Sequence, residues 1–161
     1  CWPNANTDIY TCKPDGSHIR RLTYDELDVN HPQIMNDGRV IFTRWEYSDR
    51  NAFFMHPLCT MNPDGTTQTE YVGNNSMFPS SHLQARAIPD STKILAIIGG
   101  HHVLHKGKLA LIDRTLGTQD GKYIEFVAGA SPDGTPGRQK SQIVTQGVHE
   151  RRIDFFGQNG P

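Results

Sequence analysis

The stretch IYTCKPDGS, residues Ile9–Ser17, recurs as LCTMNPDGT, residues Leu58–Thr66, 49 positions further along the chain. Each copy is a short run of strand-forming residues followed by Pro-Asp-Gly. The Asp-Gly pair supplies the positive φ and the side-chain hydrogen bond of a tight hairpin turn. A weaker third copy spans Leu109–Gly117. A repeated supersecondary unit of this kind decides the architecture of a chain.

A second repeated unit lies between these copies. Residues Met35–Phe42 (MNDGRVIF) recur as Ile88–Ala96 (IPDSTKILA), with the turn aspartate displaced by 53 positions. The two units interleave, so the pattern predicts four short strands in every ~50 residues. The predicted strands are Asp8–Cys12, Ile19–Thr23, His31–Met35, Arg39–Arg44, Pro57–Met61, Thr67–Val72, Leu83–Ile88, Lys93–Ile98, Gly107–Ile112 and Lys122–Val127.

This pattern predicts an all-β fold built of β-propeller blades, each with four antiparallel strands, A to D. Propellers close with ~4–8 blades, and 161 residues supply about three units of this length. We expect residues 1–127 to hold strands C and D of one blade and then two fuller blades. Residues 128–161 are expected to be a loop-rich continuation. Because unpaired edges would remain at both ends, the parent protein is expected to be longer, or the piece to associate.

Charge, hydropathy and cysteine pattern exclude several classes of protein. The chain carries 16 Lys and Arg against 17 Asp and Glu, which argues against a nucleic-acid-binding surface. The longest apolar run, Ile94–Ile98, is far shorter than the ~18–20 residues of a membrane span, so no membrane insertion is expected. The three cysteines include no Cys-x-x-Cys pair, which argues against a zinc knuckle and against c-type haem attachment. The start at Cys1, with no signal-like segment, is expected for a mature or truncated piece.

Because consecutive strands of a blade run in opposite directions, the connections between them alternate between the two faces of the predicted propeller disc. The tight A–B and C–D turns fall on one face, which we interpret as structural. The long connections fall on the other face, where functional residues are expected because binding sites concentrate on loops held by a rigid scaffold. These long connections are Tyr24–Asn30, Trp45–His56, Gly73–Ser81 and Gly99–Lys106.

Three histidines form the densest group of metal-type ligands on this long-loop face. His101, His102 and His105 are therefore candidate metal ligands, although zinc and iron sites need three or four convergent donors. The alternative is that these imidazoles bond loop carbonyls and set contacts between blades.

The run RWEYSDR, residues Arg44–Arg50, alternates charged and aromatic side chains. Such a run can stack on a ligand through aromatic and cation–π contacts. It can also clamp its own loop through Arg–carboxylate pairs, the interpretation that we favour. Arg86 opens an innermost strand and is a candidate anion site, because an arginine in the channel needs a carboxylate or an anion. The candidates for a ligand or partner face are Arg44, Trp45, Glu46, Tyr47, Asp49, Arg50 and Arg86.

Taken together, these motifs resemble the TolB-type propeller repeat. More narrowly, residues 8–116 are similar to the middle propeller domain of the hydrazine synthase alpha subunit and its uncharacterised bacterial relatives. The elements that carry the resemblance are Arg21-Leu22-Thr23, His31-Pro32, Arg44–Tyr47 with Asp49-Arg50, Asn62–Gly65, Gly73–Asn75, Ala85–Pro89 and His101-His102.

The resemblance implies a six-bladed propeller inside a larger extracytoplasmic, periplasmic protein, often beside c-type haem domains. It implies a non-catalytic scaffold or binding domain that contacts neighbouring domains or protein subunits. The alternative that it implies is a domain of a haem- or metal-dependent oxidoreductase. No Cys-x-x-Cys-His occurs here, so no haem site carries over, and the resemblance leaves open whether the parent protein holds haem or another metal.

Overall fold

The computed structural model describes residues 7–47, 54–75, 79, 81–99, 108–119 and 121–127. The described chain is all-β, with antiparallel pairing between its named strands. The one helical element of the described residues is a 3-10 turn at Arg114–Leu116. It is too short to cross a bilayer. The all-β prediction is confirmed. Residues 128–161 lie outside the described ranges, so their expected loop-rich character stays a prediction.

The strands form two four-stranded sheets and two short ribbons. In the sheets each strand is hydrogen-bonded to the next one along the blade, which is the form expected of propeller blades. The first ribbon pairs β1 (Tyr10–Thr11) with β2 (Arg20–Arg21); the middle blade contains β3 (Val29–Ile34), β4 (Val40–Arg44), β7 (Leu58–Met61) and β8 (Thr69–Val72); the second ribbon pairs β5 (Glu46–Tyr47) with β6 (Phe54–Met55); and the last blade contains β9 (Ser81–Ala87), β10 (Ile94–Gly99), β11 (Lys108–Ile112) and β12 (Ile124–Phe126).

Each of the predicted strands corresponds to an observed strand, with ends that differ by a few residues. The second ribbon was not predicted. It lies within the Trp45–His56 connection, where no repeated turn marks a hairpin.

The middle blade is buried on both faces, and the alternation along β4 shows how. Val40 and Phe42 pack with Ile9 and Leu22, the residues that flank the first ribbon. Ile41, between them, belongs to the larger cluster formed with the last blade. Because successive side chains of a strand point to opposite faces, one strand contributes to two cores. The sheets therefore stack face to face.

The two ends of this stack expose apolar side chains. In the last blade, alternate residues of β10 and β11 face the middle blade, whereas Leu109 on the opposite face is 39% exposed. In the first ribbon, Tyr10 is 56% exposed and Ile19 is 70% exposed. Both end faces are therefore surfaces on which a further blade could pack.

Each repeated Pro-Asp-Gly turn is stabilised by one carboxylate oxygen of its own aspartate. Asp15 Oδ1 accepts hydrogen bonds from the Ser17 hydroxyl at 2.7 Å and the Ser17 amide at 2.9 Å. Asp64 Oδ1 accepts the same pair of bonds from Thr66, at 2.6 and 3.0 Å. These hydroxyl and amide donors hold the pKa of both carboxyls below the usual range. The Pro-Asp-Gly turns are confirmed as Asx-stabilised hairpins.

The innermost strands carry matching irregularities. His31 in β3 and Gln84 in β9 have φ values of 56° and 51°, and the register with the next strand shifts beside each. Their separation is the same 53 positions that relates the A–B turns. The repeat therefore extends to a bulge inside strand A, which the sequence pattern does not reveal.

Candidate functional site

Residues of the run that begins at Arg44 contact other connections on the described part of the long-loop face. Arg44 Nε lies 2.9 Å from Asp25 Oδ1 and 3.7 Å from Glu46 Oε1. The first contact ties the Tyr24–Asn30 connection to the end of β4. This geometry corresponds to the clamp interpretation, with the guanidinium engaged by carboxylates of its own chain.

Trp45 is fixed by the elements on either side of it. Its amide donates to the Asp28 carbonyl at 2.9 Å, and its ring lies 5.6 Å from the His56 ring, centroid to centroid. The β5–β6 ribbon joins these two residues by pairing Glu46 with Met55. The loop face thus presents an ordered aromatic and charged patch, which we call the clamp patch: Asp25, Arg44, Trp45, Glu46 and His56.

A buried polar group connects the two blades through the first residues of β9. His82 is fully buried, and its ring Nε2 lies 2.8 Å from the Tyr123 hydroxyl. Its Nδ1 lies 3.1 Å from the His56 carbonyl, and its own carbonyl accepts the Thr43 hydroxyl at 2.8 Å. Ser81 and His56 also bond through their side chains at 2.9 Å. The middle and last blades are therefore joined by hydrogen bonds as well as apolar packing.

The partners of His82 fix its tautomer. A carbonyl oxygen can only accept, so Nδ1 carries the proton and Nε2 accepts from the Tyr123 hydroxyl. Burial lowers the pKa of this imidazole to about 4, against the opposing effect of the His56 carbonyl. The ring is neutral at pH 7. His82 and His56 are possible metal partners by residue type alone, but nothing in the local pattern predicts the hydrogen bonds that they form here.

Arg86 contacts the neighbouring innermost strand rather than an acid. Its Nη1 donates to Gln33 Oε1 at 2.5 Å, and the side chain is exposed. Within the described ranges no carboxylate forms an ion pair with it. Its assignment as an anion site stays a prediction.

The remaining candidates are not tested by the structure. His101, His102, His105, Asp49 and Arg50 lie outside the described residues, as does the side chain of Tyr47. In the part of the chain that is described, no three His, Cys, Asp or Glu side chains are grouped to hold a metal ion. The metal assignment of the three histidines stays a prediction.

Comparison with known proteins identifies a fold and no family. No family model and no curated protein matches the chain. Among solved structures, the chain is similar to hydrazine synthase from Kuenenia stuttgartiensis, with a TM-score of 0.54 and 18% identity. The match covers 67% of this chain and 14% of that chain. At this identity the likeness shows the fold alone, and it agrees with the resemblance drawn from the sequence at that level.

Proposed function

We propose that this chain is a scaffold and binding segment of a larger extracytoplasmic bacterial β-propeller protein, and that its long-loop face contacts neighbouring domains or subunits. The observation that carries the proposal is the clamp patch. Its Arg44–Asp25 ion pair and Trp45–His56 ring contact order a face of the molecule that would otherwise be loop. A preorganised aromatic and charged surface suits protein recognition, because less conformational entropy is lost on binding.

The open ends of the stack support the propeller part of the proposal. Leu109 at one end and Tyr10 and Ile19 at the other leave apolar faces where a further blade would bury them. The similar segment of hydrazine synthase is likewise a small part of a longer chain, at 14% of its length. We expect six blades in the completed ring, as the resemblance to the hydrazine synthase middle domain implies.

Site-specific photo-crosslinking in cells of the source organism tests the choice of face. A photoreactive phenylalanine analogue replaces Tyr24, which is 74% exposed beside the clamp patch. The matched control places it at Leu116, which is 38% exposed in the last C–D turn. We expect adducts with a neighbouring domain or subunit from position 24 and none from position 116.

Equal crosslinking from both positions, or crosslinking from position 116 alone, would overturn the choice of the long-loop face. Iron and zinc analysis of the parent protein, purified without chelators, addresses the rest of the proposal. Stoichiometric haem iron would replace the scaffold role by an oxidoreductase one. Stoichiometric zinc that is lost on replacing His101 and His102 by alanine would instead assign these histidines as metal ligands.

A further inference from the structure

A groove of about 340 Å³ opens between the middle and last blades on the tight-turn face, opposite the clamp patch. Its lining includes an apolar part, formed by Met35, Ala87 and Ile94, which we call the apolar floor. The polar residues that line the groove include Arg39 and Arg114. The volume lies within the range of small-molecule sites in proteins.

The groove lies where the sequence repeat breaks down. In the middle blade the C–D turn contains Gly65, which packs against Leu22 so closely that an added Cβ would lie 3.1 Å from the Leu22 carbonyl oxygen. The last blade has no Pro-Asp-Gly here. Asp113 instead caps the 3-10 turn by accepting from the Thr115 amide and hydroxyl, at 3.0 and 2.6 Å. In the sequence, the position of the groove is marked by the third copy of the repeat, which lacks Pro-Asp-Gly.

The altered turn sets an arginine over an aromatic ring. The Arg114 guanidinium carbon lies 4.6 Å from the centroid of Tyr71, the residue that corresponds to Leu22 in the repeat. Tyr71 is only 4% exposed, so its ring is a fixed platform. A guanidinium that lies over a ring face keeps N–H groups at its edge that can donate to a ligand.

The charges around the groove leave one cation without a carboxylate partner. Arg39 bonds Asp37 through Nε and Nη2, each at 2.8 Å. Asp113 is held by Thr115 and lies 3.8 Å from Lys93 Nζ. Over the described ranges, Arg114 forms no ion pair with an acidic side chain. The groove lining thus carries two arginines and two aspartates, and Arg114 is the arginine whose guanidinium is not paired with a carboxylate within the described ranges.

From this arrangement we propose that the groove binds a small organic carboxylate, with Arg114 contacting the carboxylate and Met35, Ala87 and Ile94 contacting its apolar part. A planar guanidinium donates two parallel bonds to a carboxylate. The apolar floor favours an acid that bears a hydrocarbon group over inorganic phosphate. This site is separate from the clamp patch, so its failure would leave the proposed function standing.

Titration of the isotopically labelled chain with hexanoate, followed by amide chemical shifts, tests the site. We expect saturable shifts at Tyr71 and Thr115. Hexanamide, which has the same shape without the charge, should bind at least about tenfold more weakly, as should hexanoate to the Arg114→Gln variant. Arg20→Gln is the matched control, because Arg20 is an exposed arginine of the first ribbon whose Nη2 donates to the Asp64 carbonyl.

Arg114→Lys separates charge from geometry, and we expect it to bind more weakly than the native chain and more tightly than Arg114→Gln. Three outcomes would overturn the proposal: no saturable hexanoate binding, equal binding of hexanoate and hexanamide, or unchanged hexanoate affinity in a folded Arg114→Gln variant. Displacement of hexanoate by an equal concentration of inorganic phosphate would overturn the carboxylate assignment.

Discussion

At the scale of single residues, His82 shows how burial can set the chemistry of a group. Its neutral ring donates to the His56 carbonyl and accepts from Tyr123, and both contacts lie between elements distant in sequence. The repeat predicts that residue 82 belongs to an innermost strand, but it cannot predict the partners. The His56 contact depends on how two sheets stack, and the Tyr123 contact depends on the path of the connection before β12. A periodic pattern encodes neither.

Stability is expected to fall on acidification because of His82. Burial lowers its pKa from 6.5 to about 4 in the folded chain, so the unfolded chain binds the proton more tightly. The stabilisation is complete above pH 6.5 and is lost as the pH falls towards 4, with a total of roughly 3 kcal/mol. Urea unfolding at several pH values measures this loss.

The histidine contribution is isolated by comparing variants. His82→Gln should show a shallower fall between pH 6.5 and 4.5 than the native chain. His18→Gln, at an exposed turn residue, should leave the fall unchanged. An NMR titration that found the His82 ring with a pKa at or above 6.5 would contradict the argument, even if the glutamine variant failed to fold.

At the scale of strands and turns, the sequence is most informative where one local device repeats. Asp15 and Asp64 each bond a hydroxyl two residues later, so the hairpins around them are predicted from a few adjacent letters. The β5–β6 ribbon was missed because its turn carries no Pro-Asp-Gly. The groove was not predicted because its marker in the sequence is the absence of Pro-Asp-Gly in the third copy of the repeat. A missing motif is a weaker signal than one that is present.

Gly38 and Gly73 have similar backbone conformations but different surroundings, so substitutions at the two positions distinguish backbone strain from overpacking. Gly73 and Gly38 have φ values of +93° and +83°, which cost an L-residue about 1–2 kcal/mol. A Cβ at Gly38 would meet nothing within 4 Å, whereas one at Gly73 would lie 2.6 Å from His82 Cε1. We expect Gly73→Ala to destabilise the chain by about 1–3 kcal/mol more than Gly38→Ala, because overpacking is added to strain.

Chemical denaturation of both alanine variants measures the difference in their free energies of unfolding. If the two variants lose the same stability, the contact of Gly73 with the His82 ring carries no energetic weight. The comparison needs no absolute value, since the backbone cost is common to both positions.

At the scale of the whole molecule, the stack should be most stable at its centre. Ile41 and Phe42 are both fully buried and belong to the two different cores, whereas the first ribbon has strands of only two residues. Stability in stacked repeats is a sum of units and interfaces, and the middle blade has two interfaces. The architecture that the repeat predicted therefore also predicts a gradient of local stability.

Amide hydrogen exchange measures this gradient. We expect the amides of β4 and β7 to exchange slowest, and those of the first ribbon and β12 to exchange fastest among the strands. The loops adjoining them serve as the internal reference. Equal exchange rates in all strands would show that the stack opens as one unit, contrary to this expectation.

The blades are joined by side chains and by a few backbone bonds, such as that from the Gly73 amide to the Thr118 carbonyl, while the ladders of each four-stranded sheet stay within it. Asn36, for example, reaches from the middle blade to the carbonyls of Ile88 and Ser91 in the last blade. A whole blade could consequently be duplicated or deleted in the gene without cutting a hydrogen-bonded sheet. Each such event would lengthen or shorten the stack by one sheet and would leave the hydrogen bonds within every remaining sheet unchanged.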